Sequence, residues 1–293
     1  MSEKKRRRLG DRKTGRRLRS LDPYNAVTPF IMRDRNDASN YFSDSIEITA
    51  ADKFIRQKRA EGMKGLGLLH LFAAAYVRTV SQRPAINRYV SGQHIFHRNN
   101  IELVMTIKKE LTSSGSETSI KVVLDPSDTL ADVYRKMNEH IEAVKANVSE
   151  NSTDKVAAAL MKMPRIILRM AMGIIKFLDY FGWLPMALLN ASPFHGSIII
   201  TDLGSLGIPP ILHHLYNFGN LPIFLAMGSK RSENELNADG STTPRKYIDF
   251  TVVSDERICD GFYFAQSFKY LKSYMRHPEQ LEVPPEKVIE DVD

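Results

Sequence analysis

The residues best placed to do chemistry form one short run, Ser254-Asp255-Glu256-Arg257-Ile258-Cys259-Asp260-Gly261-Phe262, where a strongly apolar strand gives way to a helix. Strand ends are where a rigid scaffold commonly displays reactive groups. Within the run Glu256 can take a proton or form an ion pair with Arg257, and Asp260 can cap the helix that follows. Gly261 gives the backbone room as the loop enters that helix, and Cys259 reads as a small buried apolar side chain. A second apolar strand ends in Ile200-Thr201-Asp202-Leu203-Gly204.

Other chemistries find no residues to carry them. The sequence has no metal-ligand cluster, no glycine-rich nucleotide loop and no GxSxG elbow, which sets aside metallohydrolase, kinase and serine-hydrolase readings. Its single cysteine excludes an internal disulfide and fits a reducing compartment. The start is basic but no apolar segment of signal length follows, so a cytoplasmic chain is expected. His195, His213 and His214 lie close to Thr201 in sequence, and each reads as a satisfied core or surface histidine.

The net charge of +7 is unevenly spread. Residues 1–20 hold ten Lys or Arg against Glu3 and Asp11, which is +8 and leaves −1 for the remainder. The sequence therefore predicts a basic, mobile arm over 1–20, able to meet an acidic partner or an anionic surface, and one near-neutral domain over 21–293.

The elements that position the run can be read from periodicity. Alternation in YFSDSIEIT predicts a strand, followed by helices from Ala50 and over 66–82, the second apolar nearly all round until Pro84. Ile101, Leu103, Met105 and Ile107 alternate and SIKVVL follows across the turn-forming TSSGSET, which predicts adjacent strands. Thr129 and Asp132 form a capping box ahead of an amphipathic helix, and a second helical stretch over 153–181 is expected to break near Pro164. Residues 180–201 carry no charge, yet the glycines and prolines inside them argue against a membrane span. Basic residues set among the apolar ones of 153–181 suit a helix packed on its own domain or on a neighbouring subunit or, as the alternative, one lying flat on a membrane. Strands over GSIIITDLG, LPIFLAMG and RKYIDFTVVSDE, then a helix bearing Phe264, Phe268, Leu271 and Met275, complete an α+β pattern.

Five segments, in order, resemble those of CoA-dependent acyltransferases of the chloramphenicol acetyltransferase type and of the catalytic domain of 2-oxo acid dehydrogenase acyltransferases. They are IEITAADKFIRQKR, HLFAAAYVRTVSQRPAINRYV, GSIIITDLGSLG, LPIFLAMGSK and the run around Glu256. That family's signature places a histidine four residues before an Asp-Gly pair. Here Arg257, Asp260 and Gly261 match it, and Glu256 stands at the histidine position.

The resemblance implies an α+β fold with a mixed sheet flanked by helices, and a homotrimer with active sites between subunits, open to higher assembly. It also implies CoA or acyl-CoA as cosubstrate with no tightly bound cofactor and no metal. The family's base takes the proton of the attacking thiol or hydroxyl, which assigns that role to Glu256. The hydroxyl that bonds the oxyanion falls on Thr201, across the interface from the base. Asp260 is expected to hold the loop by pairing with an arginine of the N-terminal region, Arg33 or Arg35, with Arg257 and Gly261 supporting the site. A carboxylate is a weaker base than imidazole unless an apolar channel desolvates it. Two functions follow: a stand-alone acyltransferase without lipoyl domain, or a noncatalytic trimeric scaffold that keeps the fold and docks through its basic arm.

Overall fold

Alternating apolar residues build a mixed sheet whose two faces meet different partners. The computed structural model describes residues 7–108, 117–146 and 152–293. Among these the strands are β1 (Gly15–Arg17), β2 (Ser39–Glu47), β3 (Arg88–Ser91), β4 (His94–Arg98), β5 (Ile101–Lys108), β6 (Glu117–Leu124), β7 (Ile198–Asp202), β8 (Ile223–Leu236) and β9 (Thr242–Asp255). The helices are α1 (Pro23–Ile31), α2 (Thr49–Ala60), α3 (Leu68–Gln82), α4 (Leu130–Ala146), α5 (Ser152–Met161), α6 (Arg165–Phe181), α7 (Met186–Ala191) and α8 (Gly261–Arg276).

The main sheet runs β2-β9-β8-β7-β5-β6. Its central strand β7 pairs parallel with β5 and β8, and the outer pairs are antiparallel. Odd and even residues of a strand face opposite ways, so each face has its own core. Leu103, Met105, Ile198, Ile200, Leu225 and Phe250 join α3, α4 and α8 in the larger core. Val104, Ile199, Phe224 and Val253 form the second with Leu215 and Leu221 of the segment laid across the other face. Each such side chain stabilises the fold by roughly 1.5–3 kcal/mol. The helix α3 is buried on nearly every side, as its apolar composition predicts. At α4 the Thr129 hydroxyl accepts from the Asp132 backbone N–H (3.3 Å), while Asp132 accepts from that of Thr129 (3.1 Å). Pro164 separates α5 from α6, where the sequence places the break. The expected turn after β5 falls largely outside the described residues.

A smaller sheet, β1-β4-β3, takes in part of the basic segment expected to be a mobile arm, of which residues 1–6 lie outside the described residues. From Arg7 onward the basic segment is docked. β1 pairs with β4, and the Arg19 and Ser20 backbone N–H groups donate to the Asp293 carbonyl at 2.8 and 2.6 Å. Arg12 donates to the Tyr180 carbonyl at 2.7 Å and to that of Phe181. Arginines that bind the last carbonyls of a helix also suit its negative end. The C-terminus is held in turn by Arg88, whose Nε and Nη2 donate to Asp291 at 2.8 and 2.6 Å. No helix of the described residues is long and apolar enough to cross a membrane.

Candidate functional site

β9 is buried over its last residues and delivers the Ser254–Gly261 run to one end of the sheet, beside the starts of β2 and β8. The loop is fixed by backbone bonds from the Asp255 N–H to the Pro222 carbonyl (2.8 Å) and from the Glu256 N–H to the Ala38 carbonyl (2.8 Å). Its buried anchor is Asp255. Arg257 Nε donates to Asp255 Oδ1 (2.8 Å) and its Nη2 to Oδ2 (2.7 Å), while Arg35 Nε lies 3.5 Å from the same Oδ2. A carboxylate answering two buried guanidinium groups is the arrangement in which burying charge is tolerable. Burial pushes the Arg35 guanidinium below its ordinary value, against the pull of Asp255. Arg257 also donates to the Met32 carbonyl (2.7 Å), which ties the loop to the end of α1.

Three expectations are corrected by this geometry. Asp260 does not pair with Arg33 or Arg35. It is half out of the loop, exposed, and caps α8 by accepting from the Tyr263 N–H (2.7 Å). Arg35 instead meets Asp255, and Arg33 enters the network only through its carbonyl, 3.3 Å from Arg257 Nη1. Asp255 and Asp260 are two carboxylates in one loop, and only the buried one can hold buried cations. Glu256 does not pair with Arg257, since Asp255 takes the Nε and Nη2 edge of that guanidinium and the Met32 and Arg33 carbonyls take Nη1. Gly261 is not needed for space: a Cβ there would meet nothing within 4 Å.

Glu256 itself is exposed on the single chain. Cys259 packs against the larger core, where burial pushes its thiol up to about 12. A thiol so raised is no nucleophile, in keeping with its apolar reading.

Thr201 is partly exposed near the end of β7, on the face it shares with Ile199 and the second core. It pairs with Ala226, and Ala226 pairs with Thr251. Glu256 lies five residues beyond Thr251. Within one chain it is therefore about 15 Å along the strands and about 10 Å across them from Thr201. These two side chains cannot act on one atom unless they come from different subunits.

The nearby histidines are held in place. His195 is 2% exposed, bonded through Nδ1 to the Ser192 hydroxyl (2.8 Å), with Nε2 3.2 Å from Asp179. His213 stacks on Phe224, ring centroids 4.1 Å apart, and burial lowers its pKa. His214 Nδ1 meets the Leu215 carbonyl at 3.0 Å. Phe224 lies opposite Ile199, so His213 sits over the same sheet face as Thr201, a proximity that sequence order alone does not reveal. Among the described residues no group of His, Cys, Asp and Glu could hold a metal ion.

No family model and no curated protein sequence matches the chain. Solved structures do. A dihydrolipoamide acetyltransferase of Azotobacter vinelandii superposes with a TM-score of 0.56 at 14% identity, over 88% of this chain and 88% of that one. A probable dihydrolipoamide acetyltransferase of Listeria monocytogenes gives 0.55 at 13% identity, over 88% and 95%. A chloramphenicol acetyltransferase gives 0.51 at 12% identity, over 88% and 99%. The chain thus has the fold seen in these CoA-dependent acyltransferases, a mixed sheet flanked by helices.

Proposed function

We propose that this chain is a CoA-dependent acyltransferase, working as a homotrimer whose active sites lie between subunits. The observation that carries the reading is the placement of Glu256 and Thr201. They stand at the two positions where the resemblance puts base and oxyanion donor, and they are too far apart in one chain to cooperate. The exposed apolar side chains of α1, Tyr24, Val27 and Ile31, supply surface that a subunit contact would bury. In such an assembly the neighbouring subunit would also desolvate Glu256, as a carboxylate base requires.

In the proposed step Glu256 takes the proton from an acceptor thiol, hydroxyl or amine as that atom attacks the carbonyl of an acyl-CoA. The Thr201 hydroxyl of the next subunit donates to the oxyanion of the tetrahedral intermediate. Collapse breaks the carbon–sulfur bond, the CoA sulfur takes the proton held by Glu256, and the acyl group stays on the acceptor. Asp255, Arg257 and Arg35 hold the loop, and Gly261 leaves the start of α8 open beside it.

Calorimetric titration with CoA and acetyl-CoA, joined to an assay for released thiol with simple acceptors, tests this. Saturable binding with thiol release supports transfer. Absence of binding at millimolar CoA sinks it and leaves the scaffold reading, for which the exposure of Glu256 is the supporting observation.

A further inference from the structure

We infer that α6 is a docking surface for an anionic lipid bilayer, lying in the membrane interface with its outward face immersed. The helix divides into three faces. Leu168, Met172, Ile175 and Asp179 turn toward the protein and are partly covered. Ile166, Ile167, Met170, Ile174, Phe177 and Phe181 recur at one, three and four residues along the opposite side and are all exposed, Ile166 by 77% and Met170 by 63%. Arg165, Arg169 and Lys176 line the edge between the two faces. No residue of α6 is fully buried. Water-exposed apolar stripes of this size mark a surface that something covers.

The charges say what covers it. Asp179 is the sole acid between residues 155 and 201, and it turns inward to His195. Lys162, Arg165, Arg169 and Lys176 thus have no acidic partner among the described residues. A second copy set on this face by a two-fold axis would bring these cations against their own counterparts with no acid to answer them. Lipid phosphates would neutralise them while acyl chains took up the apolar stripe, the pattern of an interfacial amphipathic helix. Arg12 bonds the Tyr180 and Phe181 carbonyls and so seats segment 7–19 beside the end of α6, where Arg8 and Arg16 are answered by Asp293 and Arg19 by Asp11. Trp183, 61% exposed, stacks on Phe181 at the same end. At 17 residues α6 is roughly 25 Å long, which suits lying on a bilayer rather than crossing it.

Trp183 is the chain's single tryptophan, so its fluorescence reports this surface directly. The full chain is mixed with phosphatidylcholine vesicles and with vesicles of two parts phosphatidylcholine to one part phosphatidylglycerol. The expected result is a blue shift and co-sedimentation with the second set only, weakened by salt. Phe177→Glu should abolish both. Because the side chain is exposed, its unfolding midpoint should match that of the unaltered protein. Reversing Arg165, Arg169 and Lys176 to Glu together should weaken binding by on the order of a hundredfold. No shift and no co-sedimentation would overturn the inference. So would a blue shift that needs no vesicles, grows with protein concentration and vanishes in Phe177→Glu, which would assign the face to a second copy. These readouts do not depend on acyl transfer.

Discussion

Arg257 grips Asp255, two residues before it, through two parallel hydrogen bonds of 2.8 and 2.7 Å, and both side chains are shut off from water. With Arg35 close to the same carboxylate, this pair anchors the loop that presents Glu256. Replacing Asp255 with Asn leaves two guanidinium groups buried without a counter-charge and should lower stability by about 3–5 kcal/mol in urea unfolding at neutral pH. Asp260→Asn, which keeps a side chain able to cap α8, should change it by less than about 0.5 kcal/mol. Equal losses in the two variants would mean that the anchor has been assigned to the wrong carboxylate.

Glu256→Gln removes the proposed base and keeps the shape. Because the side chain is exposed on the single chain, the thermal midpoint should hold while kcat for thiol release falls about 10²–10⁴-fold. Glu256→His restores an imidazole at this position and should raise turnover. Unchanged kcat in the Gln variant would take Glu256 out of the mechanism, and a loss in His213→Ala instead would point to the imidazole stacked beside the Thr201 face.

Gly261 meets no neighbour that would exclude a methyl group. Gly261→Ala should therefore stabilise the start of α8 by about 0.5–1 kcal/mol. If an acyl-CoA passes this point, the same variant should raise KM. A stabilised protein with unaltered KM would place the substrate path elsewhere.

Asp52 gives a pH dependence whose sign can be stated. Burial alone would raise its carboxyl, but Lys230 (2.7 Å) and Lys246 (2.6 Å) hold it down to about 2. A depressed carboxylate stabilises the fold above its ordinary value of 3.8, and that contribution is lost as pH falls toward about 2. Both lysines reach half into water, so the loss is put at about 1–2 kcal/mol. Urea midpoints at pH 6 and at pH 3 for the unaltered protein and Asp52→Asn should differ in their spacing, the variant losing less. Parallel losses would show that the lysine pair contributes nothing measurable.

Much of this arrangement is legible in the sequence because burial imposes a period. The helix Leu68–Gln82 and the strands Ile198–Asp202 and Thr242–Asp255 are long or strongly apolar enough to declare themselves. The small sheet is not: Gly15–Arg17, Arg88–Ser91 and His94–Arg98 are short and lack a long apolar run, and Gly15–Arg17 finds its partner His94–Arg98 far along the chain. Arg12 shows the same limit, since its targets are carbonyls 168 and 169 residues away. The loop signature was visible at Asp260 and Gly261, but which aspartate bears the buried arginines depends on which is cut off from water, and adjacent letters do not record that. The stripe on α6 was equally visible, while its exposure is a property of the fold.

The most direct test of the central claim is complementation between two inactive chains. Glu256→Gln and Thr201→Ala proteins, each expected to have lost activity, are co-expressed and the mixed trimers assayed for thiol release. If every site takes its base from one subunit and its oxyanion donor from the next, half of each requirement is met by chance and about one quarter of the unaltered activity returns. Mixed trimers as inactive as either parent would contradict an active site shared between subunits.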